Sequence, residues 1–235
     1  MRFVVICICA TVGCLNAGDI AGRIRITKPL TKKRVTLSAI YDRTSAIPTT
    51  VVGDTKPQDE MSRVVIYLEN GPRPRKTVTE TINQTQRRFE PEVIAVPMGS
   101  TVMFPNSDPI FHNIFSLSKT KGFDLGNYPK GQSRSVTFNE PGIVMVHCHL
   151  HSNMSAALIV TPTELSTKPD RNGHYELKGL PKGIHTIVAW HRSAGAFRKQ
   201  VEVKESGISI LDLDLPIHEP SLSENTALTR SGSGQ

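Results

Sequence analysis

Past the first 17 residues, the apolar stretches of this chain are short, rich in Val, Ile and Thr, and separated by turn-forming pairs such as Asn70-Gly71, Pro141-Gly142 and Asn172-Gly173. Runs of about four to eight apolar residues between such turns are strand lengths, too short for amphipathic helices. The chain is therefore expected to be all-β. Its 235 residues, 38% hydrophobic and 21% charged, suffice for one large or two small cores. IAGRIRI (20–26) and RVTLSAIY (34–41) alternate with the period of two that marks half-buried strands. VVIYLE (64–69), VTETI, EVIAV, TVMF, SVTF, IVMVHC and SAALIV read as further strands. After them DRNGHYELKGLPKGIHTIVAWH (170–191) reads as a tight turn, a strand, a second turn at Leu180-Pro181-Lys182-Gly183 and another strand, and RKQVEV and ISILDLDL continue the alternation. Residues 43–62 read as a long polar loop, and the tail 218–235, almost without apolar side chains, as disordered.

The opening MRFVVICICATVGCLNAG has one Arg, an apolar stretch from Phe3 to about Val12 and small residues near Ala17. A membrane span needs about 18 or more apolar residues, so residues 1–17 read as a signal peptide and no transmembrane helix is expected. The protein is then periplasmic or otherwise exported. The alternative is a lipid anchor, because Thr11-Val12-Gly13-Cys14 resembles a lipoprotein box with an unusual first residue. Cys7, Cys9 and Cys14 lie in this leader, so the mature chain keeps Cys148 alone and forms no internal disulfide. An unpaired thiol in an exported protein is either buried or engaged in another bond, and a metal is one such bond.

The formal charge of +7 is spread over many short segments, with no basic run interleaved with aromatics. This excludes a nucleic-acid-binding reading and points to solubility and an acidic protein partner.

Chemistry is concentrated in VHCHLHSNM (146–154), with His147, Cys148, His149, His151 and Met154, and upstream in DPIFHNIF, with His112. Two imidazoles, a thiolate and a weak thioether form the set that selects blue copper. Strand alternation sorts them. If Val144 and Val146 point into the core, Cys148 shares their face and His147 points the other way; just past the strand end, a tight loop turns His151 and Met154 back toward Cys148, and His149 faces outward. Zinc is the rival metal, but a zinc enzyme would more usually place a carboxylate or water where Met154 lies.

Residues 76–161, from RRFEPEVIAVPMGSTVMFPNSD through HNIFSLS to PGIVMVHCHLHSNM, resemble the cupredoxins, with amicyanin-like loop spacing. The resemblance implies a Greek-key β-sandwich or barrel with one type 1 copper per chain on His112, Cys148, His151 and Met154, and Asn113 bracing the cysteine loop. His149 departs from the small or polar residue usual at its position. The flanks, GRIRI with VVIYLE (18–75) and DRNGHYELKGLPKGIHTIVAWH (162–217), resemble the two parts of a carboxypeptidase regulatory-like domain, a small transthyretin-like β-sandwich. The implied arrangement is a cupredoxin inserted into that sandwich, as in bacterial exported proteins labelled methylamine-utilisation-like.

The leading functional expectation is one-electron transfer to or from a redox partner protein. No paired carboxylates, Ser-His-Asp set or activated base suggest a catalytic pocket. Copper delivery or storage is the alternative, and a copper enzyme a further one. In the last, His147 before Cys148 would reach a second metal. His147 and His149 are in either case the candidates for an electron exit or second site.

Overall fold

The computed structural model describes residues 17–27 and 60–215. Nearly all of the leader, the expected strand at Arg34–Tyr41, most of the loop at 43–62 and the tail from 218 lie outside the described residues. Apart from a helical pair at Glu60 and Met61, the regular elements over the described residues are strands. No helix among these residues is long and apolar enough to cross a membrane.

Two strands come first, β1 (Ala17–Ile26) and β2 (Val64–Leu68). Ten more follow: β3 (Thr79–Thr81), β4 (Asn83–Thr85), β5 (Arg88–Glu90), β6 (Val93–Pro97), β7 (Ser100–Pro105), β8 (His112–Leu117), β9 (Gly122–Tyr128), β10 (Ser133–Phe138), β11 (Gly142–His147) and β12 (Ser155–Thr161). The last are β13 (Ser166–Thr167), β14 (His174–Pro181), β15 (Gly183–His191), β16 (Gly195–Val203), β17 (Ile208–Ile210) and β18 (Leu213–Leu215).

The early and late strands share sheets. β1 lies between β14 and β17 and also pairs with β18, while β2 lies between β13 and β15, with β16 beyond. The middle strands pair only among themselves, in the sheets β6-β12-β11-β8-β9 and β10-β7-β3 and the hairpin β4-β5. Close approach fixes β1 against its neighbours at two glycines. A Cβ on Gly22 would stand 1.9 Å from the Leu211 carbonyl oxygen, and one on Gly173 would stand 2.2 Å from that of Ile24. Gly173 also needs its freedom for a φ of +86°, the left-handed region that closes the expected Asn172-Gly173 turn. The alternation expected through ISILDLDL is interrupted at Leu211-Asp212, where Leu211 N–H donates to Ala21 O and the Asp212 carboxylate accepts from Arg23 N–H.

Each pair of facing sheets encloses a core, and a third apolar layer joins the two. β2 is buried on both faces: Val64, Ile66 and Leu68 join one core with Ile20, Ile24 and Ile187, while Val65 and Tyr67 face the middle strands. β12 does the same in mirror fashion. Ala156, Leu158 and Val160 enter the core with Val144, Val146 and Cys148, and Ala157 and Ile159 face Val65, Tyr67, Val188 and Trp190. Near-continuous apolar runs of this kind are what strands covered on both faces require. The seam is rimmed by charge: Arg192 meets Glu92 at 2.9 Å and Arg63 meets the same carboxylate at 3.1 Å.

Candidate metal centre

Strand alternation carries through β11 to the cysteine. Val144 and Val146 are fully buried and Cys148, one residue past the strand, is 4% exposed, all in one core. Ile143 and Met145 turn to the seam instead. β11 pairs with β12 along its length and meets β8 at His147↔Phe115, which sets the start of β8, with His112, beside Cys148. The segment from Cys148 to Met154 then reverses direction between β11 and β12. Met154 N–H donates to His151 O at 3.0 Å across that reversal.

Three donor atoms converge there. His112 Nδ1 lies 3.1 Å from His151 Nδ1, and Cys148 Sγ lies 3.9 Å from the first and 3.8 Å from the second. A triangle with those sides has its centre about 2.1 Å from every corner, against metal–imidazole and metal–thiolate bonds of about 2.0–2.3 Å. One small ion therefore suits all three donors without movement of the chain. His112, Cys148 and His151 form the one such convergence of three His, Cys, Asp or Glu donors among the described residues. His112 is wholly buried and His151 is half-buried, so the site meets the surface at the His151 edge. Phe111 and Leu150, 56% and 48% exposed, neighbour the two histidines in sequence. Burial pushes the His151 imidazole pKa below its ordinary value; His112 and Arg87 add to this and Asp108 opposes it. A neutral ring is the form that offers a lone pair.

Met154 is 1% exposed and shares the buried core with Cys148. Asn113, also buried, donates through Nδ2 to Asp124 Oδ1 at 2.7 Å and accepts the His149 N–H at 3.4 Å, tying β8 and β9 to the residue after the cysteine. The Asp124 carboxylate is held below its usual range by the Gly126 N–H and by Asn113.

His147 and His149 part company. The His149 ring is exposed, stacked on Phe115 at 3.6 Å between ring centres, with Nε2 3.7 Å from Asp124 Oδ2. His147 is half-buried, its ring 5.8 Å from that of Phe115 and its pKa lowered by burial and by the charge of Arg192. It does not stand free in solvent, as a strand end would suggest, because the second sandwich closes over that face of β11.

One residue of the site carried no signal in the spacing of ligands. Asp108 Oδ2 lies 2.8 Å from His112 Nε2, the ring nitrogen remote from Cys148. An acid four residues before a candidate histidine was the available clue.

No protein-family model and no curated protein matches the chain. Among solved structures it is similar to a reduced tryptophan-to-tyrosine mutant of amicyanin, at 25% identity and a TM-score of 0.33, over 34% of this chain and 79% of that one. It is similar also to a purple cupredoxin from Nitrosopumilus maritimus, at 22% identity and a TM-score of 0.32, over 34% and 98%. A Cu-containing nitrite reductase from Thermus scotoductus SA-01 is matched at 24% identity and a TM-score of 0.33, over 39% of this chain and 23% of that protein's length.

Proposed function

We propose that this chain is an exported type 1 copper protein that transfers single electrons, with residues 76–161 as a cupredoxin unit inserted into a second β-sandwich. The observation that carries the reading is the convergence of His112 Nδ1, Cys148 Sγ and His151 Nδ1 around one point at bonding distance from all three. Met154, buried in the same core at the far end of the loop, is the fourth and weakest donor in this reading. Copper held there would supply a one-electron couple, stabilised as Cu(I) by the sulfurs and as Cu(II) by the imidazoles.

The chain's own part is to hold the donors still. β8 fixes His112, Asn113 ties the cysteine loop, and the core around Cys148 keeps water away. A donor set already arranged needs little reorganisation when one electron arrives or leaves. The half-exposed His151 edge, beside Phe111 and Leu150, suits contact with a redox partner, and the formal charge of +7 favours an acidic one. Burial of His112, Cys148 and Met154 supports electron transfer over copper delivery, which would need donors open to exchange. The leader, outside the described residues, supports export, as a soluble or lipid-anchored form.

The test is copper loading of the purified protein. One copper per chain with intense visible absorption from thiolate charge transfer is expected, lost in Cys148→Ser and kept in His147→Ala. A colourless protein holding stoichiometric copper would refute the assignment, and bleaching by His147→Ala would make that residue a ligand.

A further inference from the structure

Asp108 is only 6% exposed, and three donors aim at it. Gln86 N–H donates to Oδ1 at 2.6 Å, Arg87 N–H donates to Oδ2 at 2.8 Å, and His112 Nε2 stands 2.8 Å from Oδ2. The two backbone donors come from consecutive residues at the tip of the β4-β5 hairpin, with φ of 51° and 56°. Non-glycine residues seldom adopt that left-handed conformation, and two in succession point adjacent N–H groups into one concavity that suits an anion. The loop that carries Asp108 is itself pinned: Asn106 Oδ1 accepts the Asp108 N–H, and Asn106 Nδ2 donates to the carbonyls of Ile110 and Tyr128. Burial alone would drive a proton onto this carboxyl. Two backbone N–H groups and the facing His112 ring nitrogen surround its two oxygens instead, an arrangement complementary to a carboxylate.

We propose that Asp108 is a positioning residue that sets the redox preference of the copper site: it accepts the Nε2 proton of His112, directs the Nδ1 lone pair toward Cys148, and keeps a buried negative charge one ring behind the ion. This rests on the copper reading above. Two effects are separable. Fixing the tautomer is something any acceptor can do, a neutral carbonyl included. A carboxylate adds charge, which strengthens the imidazole as a ligand and favours the doubly charged ion over the singly charged one. Arg87 places a positive side chain within electrostatic reach of His151, but it is exposed and screened by solvent, whereas Asp108 is not. The net preference is therefore for the oxidised ion.

Removal of such a hydrogen-bonding partner typically costs about 10–100-fold in metal affinity. If the lower end of that range falls on Cu(II) alone, a tenfold loss of preference corresponds to a rise of about 59 mV for a one-electron couple. Asp108→Asn keeps the side chain's size and one acceptor oxygen while removing the charge. Potentiometric titration of the visible band in the wild type and this variant should show the band retained and the potential raised by at least that amount. A coloured variant with an unshifted potential overturns this inference and leaves the copper reading standing; a colourless copper-loaded wild type overturns the copper reading and this inference with it. A measurement on the metal-free wild type decides the matter even if the variant does not fold. Nitrogen-15 NMR should find the proton of His112 on Nε2, with Nδ1 bare, and the opposite tautomer overturns the proposal.

Discussion

Replacing Trp190 with alanine should destabilise both sandwiches together while leaving the metal centre's donors in place. Trp190 is 3% exposed and lies in the seam with Val65, Tyr67 and Val188 on its own side and Val93, Ala157 and Ile159 on the other. A buried tryptophan covers about 150–250 Å², which at about 25 cal/mol per Å² corresponds to roughly 4–6 kcal/mol. Alanine retains part of that contact, and measured Trp→Ala costs in cores run about 3–5 kcal/mol. At about 2–4 °C per kcal/mol for a chain of this size, the melting temperature should fall by about 6–20 °C. The assay is urea unfolding of the metal-free protein by circular dichroism, which keeps copper affinity from adding to the stability. Copper added to the folded variant should still give the wild-type visible band, because Cys148 and the core residues of β11 and β12 face away from the seam. Ile159→Ala supplies the second arm of a double-mutant cycle, and a coupling of at least about 0.5 kcal/mol with Trp190→Ala is expected for side chains of one packed cluster. A loss below about 1 kcal/mol with no coupling would show that the sandwiches do not pack as one body.

Asn113→Ala should speed copper loss about tenfold or more without changing the kind of visible band, measured by chelator competition, since it releases the tie from β8 to the cysteine loop while leaving every donor present. A wild-type off-rate would refute the bracing role. Stability should also fall with acid in a histidine window. Burial lowers the pKa of His191, despite Glu60 at 2.8 Å, and of His147, from the ordinary 6.5. The unfolded chain then binds more protons below that value, so the stabilisation is fully present above about pH 6.5 and is lost as pH falls toward the folded values. Melting temperatures of the metal-free protein should decline from about pH 7 to pH 5.5, before most carboxylates titrate, and a flat profile there would contradict the assignment.

Much of the strand layout is legible in the chain because β-branched alternation and turn pairs are local signals. VVIYL, SAALIV and GIHTIVAWH announce strands, and the nearly unbroken apolar runs of the first two fit strands that are covered on both faces. The separation of Cys148 from His147 also follows from the strand period alone, since neighbours on a strand point to opposite faces. The hairpin Asn83–Thr85 with Arg88–Glu90 and the strand Gly122–Tyr128 are different. Their polar residues and glycines mask the pattern, since only Phe89, Phe123, Leu125 and Tyr128 reach the core from them, and pairing with neighbouring strands holds them extended.

What the sequence by itself determined was the all-β character and the candidacy of His112, Cys148 and His151 as donors, whereas their meeting at one point is a fact of the tertiary structure. Only the tertiary structure decided what covers the outer face of β6, β12 and β11. An apolar run states that a face is buried but not by which partner, and the seam joins Trp190 to Ile159 across 31 positions of chain. The same holds for Asp108. Its carboxylate is held by a hairpin tip more than twenty residues upstream, Gln86 and Arg87, whose left-handed backbone is imposed by the turn rather than by residue type. Local preference fixes which groups a segment offers, and three-dimensional packing fixes which of them meet, because contact between distant segments has no period that a linear pattern can carry.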